Sequence, residues 1–94
     1  MIIITCQIEL NLPGVASLKE KRSIIKSVTK RLQREFNLAT AEIGHHDVWQ
    51  SSQIGLVTIG TDAGHLQRQL EKAVAWLERN RPDAYVVDYT IEFR

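Results

Sequence analysis

The sequence predicts an α+β fold in which two helices cover one face of a four-stranded antiparallel sheet. The first and last segments of the chain alternate apolar and polar residues with a period of two, which indicates half-buried strands. Two longer segments place apolar residues every three or four positions, which is typical of amphipathic helices. Two shorter strands separated by a polar loop lie between these helices. The predicted order of elements is therefore βαββαβ.

The first strand is predicted over residues 2–12, whose even-numbered members are apolar and face the core. The first helix follows, because Ser17 at the N-cap and Glu20 at the third helical position form a capping box. We expect this helix to run to about Phe36, with Asn37 as the residue that ends it. Its buried stripe comprises Leu18, Ile25, Val28, Leu32 and Phe36, with Ile24 on the margin.

Two strands are predicted in the middle of the chain. A weaker one runs from Leu38 to about Gly44, and a stronger one runs from Gln53 to Gly60. Residues 45–50 between them are expected to form the tip of a long hairpin. The sequence pattern leaves the length and register of this hairpin open.

The second helix is capped by Thr61 or Asp62 and ends at about Asn80, because Pro82 cannot continue it. The last strand is predicted at residues 85–94, with its odd-numbered residues facing inward. Right-handed crossovers then place the first and third strands in the centre of the sheet, which is the ferredoxin-like arrangement. The apolar face of the second helix comprises Leu66, Leu70, Ala73, Val74 and Leu77.

Length and composition favour one globular domain spanning residues 1–94. No segment approaches the ~20 apolar residues that a membrane-spanning helix needs, and the first six residues lack the basic start of a signal peptide. Cys6 is the only cysteine, so no intramolecular disulfide can form. We therefore expect a soluble protein in the reducing cytoplasm.

Three segments of the chain are distinctive: Ser17-Leu18-Lys19-Glu20-Lys21-Arg22, Ala41-Glu42-Ile43-Gly44 and Asp47-Val48-Trp49-Gln50. Together they resemble the YlxP-like family, a bacterial family of small domains of unassigned function. The resemblance covers nearly the whole chain and implies a ferredoxin-like fold. Genes of this family often lie near genes for translation initiation and ribosome maturation. The resemblance therefore implies an RNA or ribosome role, and it supplies no catalytic residues.

Positive charge is concentrated in the first helix. Residues 17–36 hold seven Lys or Arg and two Glu, a local charge of +5 in a chain whose net charge is +1. Five of these cations fall within about a third of the helix circumference, opposite the buried stripe. We call them the basic ridge: Lys19, Arg22, Lys26, Lys30 and Arg34. Such a ridge favours binding to a phosphate backbone, and the alternative is an ordinary solvated helix face.

Two further cations, Lys21 and Arg31, flank the ridge. Lys21 projects on the apolar side of the first turn, where we expect it to extend past the core edge or to pair with a carboxylate. The N-terminus of the helix adds exposed N–H groups beside Lys19 and Arg22, and these groups attract anions.

The open face of the sheet differs from that of RNA-recognition motifs, which stack bases on aromatic residues of the central strands. The outward residues of the first strand include no aromatic residue, and Asp88 and Glu92 are predicted to make the last strand acidic on this face. Base stacking is therefore not expected there. Ile3, Val86 and one side of the third strand are instead expected to form an apolar patch, and we expect a homodimer that uses either this sheet face or the long hairpin.

The hairpin loop holds His45, His46 and Asp47, with Glu42 nearby, and these residue types bind zinc or nickel. Adjacent histidines in an extended chain point to opposite faces, however, so a metal site is disfavoured. Trp49 is expected to pack in the core or in a dimer, with contact to another partner as the alternative. His65 is predicted to be a surface residue. Trp76 is predicted to be half-buried and to have a packing role.

No recognisable catalytic arrangement is present in the sequence. Ser17 has no His or Asp arranged around it, Cys6 points inward, and the glycines form no nucleotide-binding fingerprint. We therefore predict that the protein is not an enzyme, requires no cofactor or metal, and binds RNA or a ribosomal component through the basic ridge. The alternatives are a homo-oligomeric protein-interaction module and a small-ligand or metal sensor.

Overall fold

The computed structural model describes residues 1–94 and contains four strands and two helices. The strands form one antiparallel sheet in the order β2-β3-β1-β4. The predicted ferredoxin-like fold is confirmed, including the central positions of β1 and β3. Both helices lack the continuous apolar stretch that a membrane-spanning helix requires. The elements are β1 (Ile2–Asn11), α1 (Leu18–Phe36), β2 (Ala39–Gly44), β3 (Ser51–Gly60), α2 (Ala63–Asn80) and β4 (Tyr85–Phe93).

One face of the sheet packs against both helices. The even-numbered apolar residues of β1 from Ile4 to Leu10 are buried, and β3 presents Ile54 and Leu56 to the same side. These residues join most of the predicted helix stripes in one cluster of 18 buried apolar residues. Cys6 belongs to this cluster, as predicted, and burial raises the pKa of its thiol to about 11. The thiol is therefore protonated at neutral pH.

Both helices begin where their capping residues predict. The hydroxyl oxygen of Ser17 accepts the N–H of Glu20 at 3.1 Å, and the Glu20 carboxylate accepts the N–H of the residue before Ser17 at 3.2 Å. Asp62, one of the two predicted caps of α2, accepts the N–H of His65 at 3.1 Å. α1 ends at Asn37, whose φ of 52° is the left-handed conformation expected of a residue that terminates a helix.

The prediction that the odd-numbered residues of β4 face inward is correct for only part of the strand. Ile8 of β1 pairs with Tyr89, whereas Leu10 pairs with Val86, so a β-bulge at Val87 shifts the register. A shift of one residue exchanges the two faces of a strand. Val86 therefore packs against the core. The prediction that it lies on the open face is wrong.

β4 lies at the edge of the sheet, and this position explains why other odd-numbered residues of the strand are more exposed than predicted. Tyr89 and Phe93 pair with inward-facing residues of β1, yet they remain 42% and 55% exposed. β4 has a neighbouring strand on one side only, so the aromatic rings at its outer margin are incompletely covered. Tyr85, before the bulge, is 66% exposed.

The middle strands differ from the prediction at their ends. Leu38 is buried before β2 begins, and β3 begins at Ser51, two residues before Gln53. The loop between the strands is attached to the end of β1, because the N–H of Leu12 donates to the carbonyl oxygen of Gln50 at 2.9 Å. This segment is mostly polar, so the sequence has no apolar alternation there that would predict the pairing.

A buried ion pair joins the first turn of α1 to β2. Lys21 is 1% exposed, and its Nζ atom lies 3.1 Å from Oε2 of Glu42. The same ammonium group donates a hydrogen bond to the carbonyl oxygen of His45. Glu42 also accepts a hydrogen bond from the hydroxyl of Ser52 at 2.6 Å. The predicted pairing of Lys21 with a carboxylate is confirmed, and it fixes which face of α1 lies on the sheet.

Replacement of Lys21 by Ala should lower the free energy of unfolding by about 3–5 kcal/mol, because the mostly buried carboxylate of Glu42 loses its cation. Urea unfolding followed by circular dichroism measures this loss. Lys26→Ala, on the exposed side of the same helix, should change the free energy by less than about 0.5 kcal/mol. Equal effects of the two substitutions would contradict the assigned role of the ion pair.

Candidate nucleic-acid interface

The basic ridge is exposed along its whole length. All five side chains lie at the surface, from Lys19 in the first turn of α1 to Arg34 in the last. The ion pairs of the protein involve other residues, and none of them joins a ridge cation to a carboxylate. The ridge therefore presents five positive charges that no neighbouring carboxylate neutralises.

The position of the ridge follows from the packing of α1. The hydroxyl of Thr40 in β2 donates to the carbonyl oxygen of Thr29 at 3.1 Å, which attaches one flank of the helix to the edge of the sheet. α2 lies along the other flank, where Arg81 contacts Ser27. The ridge occupies the surface between these two flanks. The buried residues on the opposite side of α1 are Lys21, Ile25, Val28 and Leu32.

A polar cleft of about 520 Å³ lies between α1 and the C-terminal end of α2. Lys30 and Arg34 of the ridge reach it from one side, and Trp76 is its one apolar residue. Four cations therefore converge on a single depression. The other residues that line it are Ser27, Arg31, Asn80 and Arg81.

Arg31 is positioned in the cleft by aromatic side chains. Its guanidinium carbon lies 5.5 Å from the centroid of the Trp76 ring, which is a cation–π contact. Trp76 meets Phe36 edge-on, with the ring centroids 6.4 Å apart. Arg31 also forms an ion pair with Glu35 at 3.7 Å. The predicted half-buried packing of Trp76 is confirmed.

Arg81 is fixed in place by one residue in the middle of α1 and one residue in the segment that follows α2. Its Nε and Nη2 atoms donate to the two carboxylate oxygens of Asp83 at 3.0 and 2.9 Å, and its Nη1 atom donates to the hydroxyl of Ser27 at 2.9 Å. The hydrogen bond from Arg81 holds the pKa of Asp83 below its ordinary value. Sequence periodicity did not reveal Arg81 as part of the site, because 54 residues separate it from Ser27.

The open face of the sheet is divided into an apolar half and an acidic half. On the β2–β3 side Ile43, Val57 and Ile59 are 45%, 39% and 60% exposed, and Ile59 pairs with Ile3 of β1. The side chain of Ile43 lies over Gly55. A Cβ atom added at Gly55 would lie 3.1 Å from the Cγ2 atom of Ile43. We call Ile3, Ile43, Val57 and Ile59 the apolar patch. The β1–β4 side carries the carboxylates of Glu9, Asp88 and Glu92.

The two histidines of the hairpin loop have different neighbours. Nε2 of His45 lies 3.4 Å from Oε2 of Glu9, whereas Nε2 of His46 lies 3.2 Å from the carbonyl oxygen of Glu42. The structure contains no group of three or more His, Cys, Asp or Glu residues arranged to hold a metal ion. The loop histidines thus make contacts with the ends of the neighbouring strands.

The exposure of Trp49 contradicts one prediction about this residue and leaves another untested. Half of its side chain is exposed, so the prediction that it packs in the core is wrong. It lies in the loop between β2 and β3. Its packing in a dimer stays a prediction. His65 is exposed in the first turn of α2, as predicted.

The fold and its exposed cations define a small ferredoxin-like domain with a basic helical face. The family described as protein of unknown function (DUF503) matches residues 3–91, and the chain belongs to that family. The chain is also similar to the uncharacterized protein YlxP of Bacillus subtilis (strain 168). The two are 32% identical over 62 residues, which cover 66% of this chain and 67% of that protein. The YlxP-like resemblance is confirmed.

A solved structure with a similar fold is that of SnoaB, a cofactor-independent oxygenase from Streptomyces nogalater, determined as an asparagine-to-alanine variant. The TM-score is 0.52 and the sequence identity 13%, with 98% of this chain and 90% of SnoaB covered. At this identity the likeness concerns the fold alone. It contradicts the prediction that this protein is not an enzyme, because an oxygenase uses the same fold. The lack of a familiar motif was insufficient ground for that prediction.

The exposure of the ridge predicts how its lysines react. A limiting amount of acetic anhydride should modify Lys19, Lys26 and Lys30 in the native protein, whereas Lys21 should react at least about tenfold more slowly because its ammonium group is buried. Peptide mass spectrometry measures the extent at each site. In urea the four lysines should react alike. Modification of Lys21 at the same rate as the others in the native protein would contradict the described geometry.

Proposed function

We propose that this protein binds RNA in the cytoplasm, in association with the ribosome, by placing the basic ridge along a phosphate backbone. The observation that carries the proposal is the set of five exposed cations that lack carboxylate partners. Ordinary solvated helices intersperse Glu among their cations, because like charges four residues apart are mildly destabilising. An unrelieved row of cations is therefore explained better by a polyanionic partner than by solvation.

The dimensions of the ridge suit several consecutive phosphates. Lys19 and Arg34 are 15 residues apart, which is about 22 Å along the helix axis. Each phosphate contact releases condensed counterions, so five contacts to a single strand predict a slope of about −3.5 for log affinity against log salt. Binding should accordingly be strong at low salt and weak above physiological ionic strength.

The charge distribution also favours one side of the molecule over the other. The carboxylates of Glu9, Asp88 and Glu92 lie on the open face of the sheet, where they repel phosphate. The sheet of this protein lacks outward aromatic residues on β1 as well. The helical side is therefore the side on which RNA is expected, unlike the arrangement in RNA-recognition motifs.

Reversal of two ridge charges tests the proposal. Lys26→Glu with Lys30→Glu should abolish retention of cellular RNA at low salt and lower the magnitude of the salt slope by about 1.4, because each lost contact to a single strand lowers it by about 0.7. Fluorescence anisotropy with a labelled RNA strand measures both affinity and slope. The matched control is Arg68→Glu with Lys72→Glu, which makes the same charge change at the same four-residue spacing on the exposed surface of α2.

The control variant should retain most of the affinity of the unaltered protein. Equal losses in the two double variants would mean that net charge, and not the ridge, governs binding. Binding that is insensitive to salt, or that persists when both ridge lysines are reversed, would contradict the proposal outright.

A second candidate function is self-association through the apolar patch. Its aliphatic side chains form a contiguous exposed surface, which is unusual for a sheet face in contact with water alone. A second copy of this chain is a suitable occupant. A two-fold axis parallel to β3 superimposes one apolar patch on the other and keeps the acidic halves of the two sheets apart.

Ile59→Lys should convert such a dimer to a monomer, because it places a charge in the centre of an apolar interface. Sedimentation velocity at high micromolar protein concentration measures the change. Val87→Lys is the control, since Val87 is also 60% exposed but lies on β4, away from the apolar patch. A monomeric unaltered protein at that concentration would count against self-association.

A further inference from the structure

The cleft between α1 and the end of α2 contains a stacking surface that the ridge alone lacks. The guanidinium group of Arg31 lies over the ring of Trp76, and Trp76 is itself held edge-on by Phe36. The side chain of Arg31 nevertheless remains 45% exposed. A guanidinium group is planar, so a second planar group can stack on it from the solvent side.

The same cleft contains groups that bind phosphate. Lys30 and Arg34 line it without carboxylate partners of their own. Arg81 uses three N–H groups to contact Asp83 and Ser27, and a guanidinium group has five N–H donors, so two remain. Because Asp83 and Ser27 already fix its orientation, Arg81 needs little further ordering to accept an oxyanion.

We propose that this cleft binds one unpaired nucleotide of a single-stranded RNA. The base stacks on the Arg31–Trp76 pair, and the adjoining phosphate is held by Lys30, Arg34 and the remaining donors of Arg81. This inference rests on the proposed function and adds a preference to it. In a duplex each base is stacked between its neighbours, so a stacking site of this kind selects single strands, whereas a row of cations alone does not.

The nearest alternative occupant is a free anion such as inorganic phosphate, which the cations would also attract. The ring of Trp76 and the face of the Arg31 guanidinium group favour the nucleotide, because a planar base can stack on this pair and a free phosphate cannot. A nucleotide uses both kinds of group at once. Competition by inorganic phosphate is therefore expected to be weak and to leave the fluorescence of Trp76 unchanged.

Arg31→Lys is the informative substitution, because it keeps the charge and removes the guanidinium plane. The measurements use two RNAs, a labelled 12-nucleotide adenylate strand and a 12-base-pair duplex, at the same low salt concentration. The variant should bind the single strand about tenfold more weakly, since one stacked base contributes a factor of roughly 5 to 150, and should bind the duplex within about twofold of the unaltered protein.

Tryptophan fluorescence provides the second measurement. The chain has two tryptophans, so Trp49→Phe leaves Trp76 as the only emitter. In this background the single strand should quench Trp76, and Arg31→Lys should remove most of the quenching. Arg68→Lys is the matched control, an exposed arginine of α2 outside the cleft, and it should change neither affinity nor quenching.

The outcomes separate the inference from the proposed function. If the unaltered protein binds neither RNA at low salt, the proposed function fails. If it binds both RNAs, and Arg31→Lys leaves the single-strand affinity unchanged or weakens both RNAs equally, only the cleft assignment fails. Thermal unfolding of each variant verifies that the substituted protein is folded, and since Arg31 is a surface residue no loss of structure is expected.

Discussion

The orientation of α1 on the sheet depends on the ion pair between Lys21 and Glu42. Lys21 lies in the first turn of the helix and is almost completely buried, so its charge requires a fixed partner. Glu42 provides that partner from β2, and Ser52 of β3 fixes the carboxylate in turn. With this face of the helix committed to the sheet, the basic ridge can only face outward. The ion pair and the buried apolar residues on the same face, Ile25, Val28 and Leu32, are thus together the structural reason that the cations of α1 form a surface.

The three segments that resemble the YlxP-like family meet around this ion pair. Ser17 and Glu20 cap the helix, and Lys21 in the same segment contacts Glu42 of the second segment. Val48 of the third segment donates its N–H to the carbonyl oxygen of His45 at 3.1 Å, and the ammonium group of Lys21 donates to the same oxygen. These residues therefore form one end of the molecule. The three segments contact one another there, which gives each of them a structural role. They do not by themselves identify a ligand.

Charge is separated across the thickness of the domain. The helical side carries the ridge and the cleft with Arg81, while the open sheet carries an acidic half and an apolar half. The fold alone does not select among functions, since an oxygenase shares it at 13% identity. Function must be argued from these surfaces, and the cleft is the place where charge, a fixed guanidinium group and an aromatic ring lie together.

The sequence by itself determined the order of the elements, the cap of α1, the inward face of β1 and the five residues of the ridge, and it narrowed the cap of α2 to Thr61 or Asp62. Each of these depends on residues a few positions apart, whose spacing directly reflects the helix and strand repeats. Only the tertiary structure decided the bulge at Val87, the exposure of Trp49, and the contact of Arg81 with Ser27 across 54 residues. These features arise when distant segments pack together, and no local period records which distant residue becomes a neighbour.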